Sequence, residues 1–491
     1  MKRHYVFATC LCLFFVGNAL AASSSDGVWR NIDKQTAYLA AKRTQTPWIQ
    51  PDKFQLFSLN TENLEGILQQ APLEHIAHKA AQAAPKYLTI PAPDGSYAKF
   101  EIVVSSIMEP ELAAKHPDIK TYSGRLVTDP AVVVRFDWTP DGFHAQVIDH
   151  GQLWYVDPYY KGESYASYRK SDYHPTGKEF NCLEDGYHST ANRSLLKTSA
   201  KSSSGNILRT FRIAIACTGE YAQFHGGTKD AAFSAIVTTI NRVTGIYEYE
   251  LAVRLTLVAK NDAIFFTNPE TDPFSNDDSD ALIDESQTVI NNAIGAANYD
   301  IGHTVSTGGG GLAGFGVVCV DSYKAKGITG SSSPVGDAYD VDYVAHEIGH
   351  QFGADHTFNG QGGSCNGNRA ASVAYEPGSG STIMAYAGIC STDDLQAHSD
   401  ALFHSASFDE ILDEITNGNG TCATVTSLGN AIPVVNAGSN YTIPINTPFV
   451  LSGSATDADG DTLNYLWEER DLGPQATLDA ADDGAIPLFR V

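Results

Sequence analysis

The stretch His346-Glu347-Ile348-Gly349-His350-Gln351-Phe352-Gly353-Ala354-Asp355-His356 constrains this chain more than any other. Residues four apart lie one turn above each other on a helix, so His346 and His350 share a face and can take adjacent corners of a tetrahedron around zinc. Glu347 follows the first histidine, where its carboxylate reaches a metal-bound water without ligating the ion. Gly353 predicts the helix stop, because glycine enters the left-handed C-cap conformation without strain. The turn it permits brings His356 in from outside the helix as a third ligand. Three protein ligands leave one position open, which is the coordination of a catalytic zinc rather than a structural one.

Downstream, Ser381-Thr382-Ile383-Met384-Ala385-Tyr386 is turn-like and holds one of only three methionines in the chain. The extended histidine pattern predicts a methionine turn after it. On these residues, and over Arg209–Tyr221, Gly308–Cys319 and Val341–Phe358, the chain resembles the metzincin zinc endopeptidases. Within that clan it is similar to the bacterial reprolysin-like (adamalysin-related) secreted metallopeptidases.

The resemblance implies roles for named residues. His346, His350 and His356 would hold the zinc, Glu347 would be the general base, and Met384 would form a polarizable floor under the imidazoles. Gly311, Leu312, Ala313 and Gly314 would form the edge strand that pairs with a peptide substrate. Cys182 would act as a cysteine switch, its thiolate closing the open zinc position. The reprolysin pattern also suggests a Cys319–Cys422 disulfide. Two residues depart from that pattern. Thr357 stands where reprolysins commonly have Asp, and Tyr386 resembles the tyrosine of astacins and serralysins that contacts the metal or the transition state.

Compartment follows from the N-terminus and the cysteines. Residues 1–21 read as a signal peptide, with a basic start at Lys2-Arg3-His4, an apolar run from Tyr5 to Val16 and a small-residue cleavage site at Ala19-Leu20-Ala21. No later segment reads as a membrane span, so the product is expected to be secreted and soluble. Cys10 and Cys12 would leave with the leader, and six cysteines remain, which sequence alone could pair in fifteen ways. Cys365 and Cys390 flank the methionine turn, where a bridge would staple the loop below the cleft. Cys182 and Cys217 are then left over, and a disulfide between them is the rival to the switch. The net charge of −25 argues against nucleic acid or an anionic membrane as partner. Peptide or protein substrates and a monomer are expected.

The chain divides by pattern. Residues 22–205 are β-rich, with strands predicted at Ala98–Val104, Ala131–Phe136 and Gly142–Ile148, turns at Pro93-Asp94-Gly95 and Thr139–Gly142, and a helix over Leu73–Ala84. Preceding a peptidase domain, this region reads as a propeptide. The polar segment 197–205 reads as a linker, with activation by cutting between about Arg193 and Arg209.

Residues 206–425 predict an α/β domain with a mixed, mainly parallel sheet. Strands are expected at Phe211–Cys217 and Leu251–Val258, and helices over Ala231–Tyr247, Ala281–Ala297 and Ala401–Ile415. The acidic loop Thr271–Asp280 makes calcium a candidate second ion beside Zn2+. From 432 to 491, short strand-like runs at Asn440–Pro444, Pro448–Ser452 and Leu463–Trp467 look like the start of a PKD-type, immunoglobulin-like β-sandwich.

The expectation is therefore a secreted zinc endopeptidase made as a latent precursor. The alternative is a catalytically silent adhesin or matrix-binding protein that uses the β-rich ends. An intact Glu347 counts against it, because a binding-only metal site needs no base.

Overall fold

The computed structural model describes residues 23–41, 46–74, 84–174, 182–188, 203–308 and 310–489. The leader, most of the helix expected over 73–84 and the linker up to residue 202 lie outside the described residues.

Strands β1 (Trp29–Ile32), β2 (Gln55–Leu59), β3 (Lys86–Pro91), β4 (Tyr97–Val104), β5 (Lys120–Leu126), β6 (Asp129–Thr139), β7 (Gly142–Asp149), β8 (Gln152–Tyr160) and β9 (Ser164–Arg169) form one antiparallel sheet. Their order is β1-β2-β9-β8-β7-β6-β5-β4-β3. Helices α1 (Lys34–Ala40), α2 (Thr61–Leu68) and α3 (Pro110–Lys115) join it. Both predicted turns close hairpins. Gly95 and Gly142 take the left-handed φ values of +87° and +122° that those hairpins require.

Strand alternation gives this sheet two different buried faces. Val134 and Phe136 of β6 join Phe143, Val147 and Val156 in an apolar core of their own. Arg135 and Asp137, the intervening residues, are equally buried on the opposite face.

The second sheet is mixed and carries the expected βαβ order. It contains β10 (Cys182–His188), β11 (Ile207–Cys217), β12 (Val253–Leu257), β13 (Ile301–Ser306), β14 (Gly311–Phe315), β15 (Gly327–Gly330) and β16 (Thr424–Ser427). The order is β10-β14-β15-β13-β11-β12, with β16 on the start of β11. Pairing is parallel throughout except between β14 and β15 and between β11 and β16. The helices are α4 (Gly219–Phe224), α5 (Lys229–Leu251), α6 (Ser279–Ile294), α7 (His346–Gln351) and α8 (Ser405–Thr416). Capping fixes where they start: Thr228 accepts from Ala231 N–H and Asp278 from Ala281 N–H. The last helix starts at Ser405 rather than Ala401, because His404 Nδ1 caps it by accepting from Ala406 N–H.

Beyond Ser427 the structure departs from the strand expectation. Residues 440–444, 448–452 and 463–467 form no ladder. Among the described residues there, only β17 (Val434–Asn436) and β18 (Ser454–Thr456) pair. A sandwich strand needs a second sheet over its apolar face, and Val450 remains 85% exposed. This segment instead lies along the peptidase-like region. Asn359 Nδ2 donates to Pro474 O at 2.9 Å, and Leu478 N–H donates to Asp393 Oδ1 at 2.9 Å. Among the described residues no helix is long and apolar enough to cross a membrane.

Candidate metal centre and active site

A π-helical turn, Ala338–Ala345, runs directly into α7, which therefore presents His346 and His350 deep inside the molecule. Gly353 has φ +88°, and its N–H donates to His350 O at 2.8 Å, ending the helix where the sequence predicts. The chain then turns, and His356 meets the other two histidines. All three are at most 1% exposed.

Their Nε2 atoms converge, with separations of 3.0 Å (His346–His350), 3.0 Å (His350–His356) and 3.3 Å (His346–His356). Tetrahedral nitrogen ligands at roughly 2.0–2.1 Å from one zinc ion lie about 3.3 Å apart, so the donor set fits such an ion. The Nδ1 side of each ring is fixed by backbone: His346 to Ile383 O at 2.6 Å, His350 to Ala354 O at 2.7 Å and His356 to Asn368 O at 2.7 Å. A carbonyl can only accept, so each Nδ1 carries the proton and each Nε2 presents its lone pair inward. Burial pushes the pKa of His346 down to about 3 and that of His350 to about 4. Burial and the two neighbouring imidazoles push that of His356 well below its ordinary value. The rings are neutral at neutral pH, as metal ligation requires.

Cys182 completes the cluster. Its Sγ lies 3.5 Å from His346 Nε2, 3.7 Å from His350 Nε2 and 3.8 Å from His356 Nε2. A thiolate at about 2.3 Å from a tetrahedral zinc sits roughly 3.6 Å from each nitrogen ligand. These four residues are one of two groups among the described residues able to surround an ion; the other is Asp457, Asp459 and Asp461 on the surface. Cys217 does not pair with Cys182, and neither is in a disulfide. Cys217 is buried in β11, where burial raises its pKa to about 12. The disulfides are Cys319–Cys422 and Cys365–Cys390.

Around this centre, Glu347 is fully buried on α7. Met384 packs under the helix so closely that a Cβ at Gly349 would collide with its Sδ, which explains a glycine between the two histidines. The Tyr386 ring lies 4.6 Å from that of His356, and its hydroxyl donates to Cys182 O at 3.2 Å. Gly311, Leu312 and Ala313 of β14 pair in parallel with Cys182, Leu183 and Glu184 of β10. Gly314 N–H donates inward to Lys326 O at 3.0 Å. By strand alternation, residues 312 and 314 bond β15, while 311, 313 and 315 face the outer edge.

One buried group of the centre was not foreseen from the sequence. Glu376, 1% exposed, accepts from Thr357 Oγ1 at 2.6 Å, from Thr382 Oγ1, from Ser381 N–H at 2.7 Å and from Thr382 N–H at 3.2 Å. It ties the residue after His356 to the methionine turn with charge-assisted bonds. Thr357, which stands where the resemblance would put Asp, therefore has a carboxylate as its partner.

The acidic loop uses several of its oxygens in local hydrogen bonds. Asp272 accepts from Gly219 and Phe274 N–H, Asn276 Oδ1 accepts from Thr218 Oγ1, and Asp278 caps α6. Among the described residues no three carboxylates of that loop converge.

Residues 207–414 match the family model described as Metallo-peptidase family M12B Reprolysin-like. This stretch is a metallopeptidase domain, of mixed sheet and helices, and it contains the three-histidine site. Among solved structures, the chain is similar to that of metalloproteinase-II from Bacteroides fragilis. The identity is 10% and the TM-score 0.41, over 72% of this chain and 95% of that one. No curated protein sequence matches the chain.

Proposed function

We propose that the chain is the latent precursor of a secreted zinc endopeptidase, with residues 1–21 as signal peptide, 22–205 as propeptide region and 206–425 as catalytic domain. The observation that carries this reading is the meeting of three inward-facing imidazole lone pairs with one thiol at the separations of a tetrahedral site. Zinc held by His346, His350 and His356 would polarise a scissile carbonyl and acidify a water.

The chain's own groups would do the rest. Glu347 takes the proton of the attacking water and passes it to the leaving amine. Tyr386, whose hydroxyl donates to the Cys182 carbonyl, would donate to a substrate oxygen once that strand leaves. Met384 supports the histidine helix from below. Cys182 blocks the fourth position, while β10 occupies the edge of β14 that a peptide substrate would use.

The reading is tested by casein hydrolysis. After the chain is cut ahead of Ile207, activity should appear, vanish with a chelator and return with zinc. Hydrolysis indifferent to metal, or absent from the cut, zinc-loaded protein, overturns it. The cut has to fall ahead of Ile207, since Arg209 is already paired within β11 to both Val253 and Val425.

A second expected result concerns the substrate edge. Ala313→Pro removes an outward amide donor, whereas a proline at Leu312 would break the inner ladder to β15. Losing one backbone hydrogen bond, about 1 kcal/mol, lowers kcat/KM for long peptides about fivefold in the cut enzyme, with zinc content unchanged. Equal kinetics for Ala313→Pro and the parent would place the substrate on another edge.

A further inference from the structure

A helix packed on a single sheet keeps one face in water, but α5 does not. Phe233, Ser234, Ile236, Thr238, Thr239 and Arg242 are buried and lie around its whole circumference. One side belongs to the peptidase-like sheet. The other is covered by the polar face of β6, β7 and β8 from the N-terminal region. Thr238 Oγ1 donates to Asp137 Oδ1 at 3.1 Å, and Gln146 Nε2 donates to Arg242 O at 3.0 Å. A Cβ at Gly245 would come within 3.0 Å of Arg135 Cγ, so helix and sheet meet without a gap.

The ion pairs here cross between the two regions. Arg242, with its side chain 3% exposed, pairs with Asp157 at 2.6 Å on one side and Asp340 at 2.9 Å on the other. Arg135 pairs with Glu248. Lys170 places its ammonium 2.7 Å from Asp342 and 3.0 Å from Asp337, just ahead of the histidine helix.

The backbone is shared as well. Leu257 N–H donates to Ile107 O at 2.7 Å and Glu109 N–H to Leu257 O at 2.9 Å, so residues 107–109 extend the second sheet beyond β12. With β10 on β14, the N-terminal part of the chain covers both edges of that sheet. Tyr155, Tyr168 and Ile107 join Phe211, Ile236 and Val253 in one apolar core.

An interface that reads as a single core cut in half is the mark of an obligate partner rather than a dissociating one. Separation would strip Lys170 from two buried carboxylates, of which Asp342 would keep His398 and Ser399 N–H as partners while Asp337 would lose its ammonium. We propose that residues 23–174 form a permanent, noncovalently held half of the folded enzyme, and that cutting between residues 189 and 202 does not release them. Only β10, which lies over the cleft along β14, has to leave. Its consequence for activity rests on the zinc peptidase reading; the retention itself rests on the interface.

The test uses the whole zinc-loaded chain with a specific protease site placed between residues 189 and 202. The protein is cut, diluted to nanomolar concentration and passed through a sizing column. Both fragments should co-elute at the size of the uncut chain and separate only in denaturant. Amide exchange along α5 should change less than twofold on cutting. An N-terminal fragment that elutes by itself overturns the proposal, as does loss of protection along α5. Peptidase activity in the two-fragment peak supports it further, and activity confined to a peak lacking the N-terminal fragment overturns it. A co-eluting pair that binds zinc yet cleaves nothing leaves retention standing and counts only against the peptidase reading.

Discussion

Glu347→Gln should bind zinc as the parent does and lose on the order of 10³-fold or more of its peptidase activity, the scale of a positioned general base. The substitution keeps the shape of a fully buried side chain on α7 and leaves the three imidazoles and their carbonyl partners untouched. Only proton transfer is removed. Activity and bound metal measured on the same cut sample separate the roles. A variant that remains active, or that loses its zinc, removes Glu347 from the mechanism assigned to it. His350→Ala should do the opposite, losing metal and activity together, because two ligands hold zinc far less tightly than three.

The second large effect is expected at Cys182. Cys182→Ser exchanges a zinc-binding thiol for a hydroxyl of nearly the same size, so uncut protein should acquire activity that the uncut parent lacks. A contact worth even about 1.4 kcal/mol shifts a closed–open balance tenfold, and the gain should be at least that large. It should also stay below the activity of the cut enzyme. Backbone pairing of β10 with β14 and the Tyr386 bond to the residue 182 carbonyl both survive the change. An uncut Cys182→Ser protein as silent as the parent would mean that pairing along the edge, not the thiol, keeps the cleft closed.

What could be read in advance was what short spacing determines. The i, i+4 histidines, the stop at Gly353 and the methionine turn each depend on a few neighbouring residues, and each has a physical reason to stand where it does. The strands Ile207–Cys217 and Val253–Leu257 with α5 between them were legible for the same reason: apolar periodicity is local. Glu376 was not, because nothing near it announces that its carboxylate will bridge Thr357 and Thr382. The same holds for Lys170, which is paired with Asp342 far along the chain. The burial of α5 on every side is also a long-range fact. The polar residues Thr238, Asn241 and Arg242 imitate a wet face until the polar side of β6–β8 is known to cover them. In the last sixty residues the local pattern misled, since alternating apolar residues make a strand only where a partner ladder exists. Val434–Asn436 found one at Ser454–Thr456, and the runs predicted at 440–444 and 448–452 did not.

On this reading His346, His350 and His356 hold one zinc ion whose remaining position is closed by Cys182. X-ray absorption at the zinc edge of the uncut, zinc-loaded chain reports this coordination shell. The spectrum should show one ion per chain with three nitrogen neighbours at about 2.0–2.1 Å and one sulfur at about 2.3 Å. The sulfur shell should disappear in Cys182→Ser and in the cut, active enzyme while the nitrogen shell remains. A spectrum of the uncut chain with only nitrogen and oxygen neighbours, or a chain that binds no stoichiometric zinc, would contradict it.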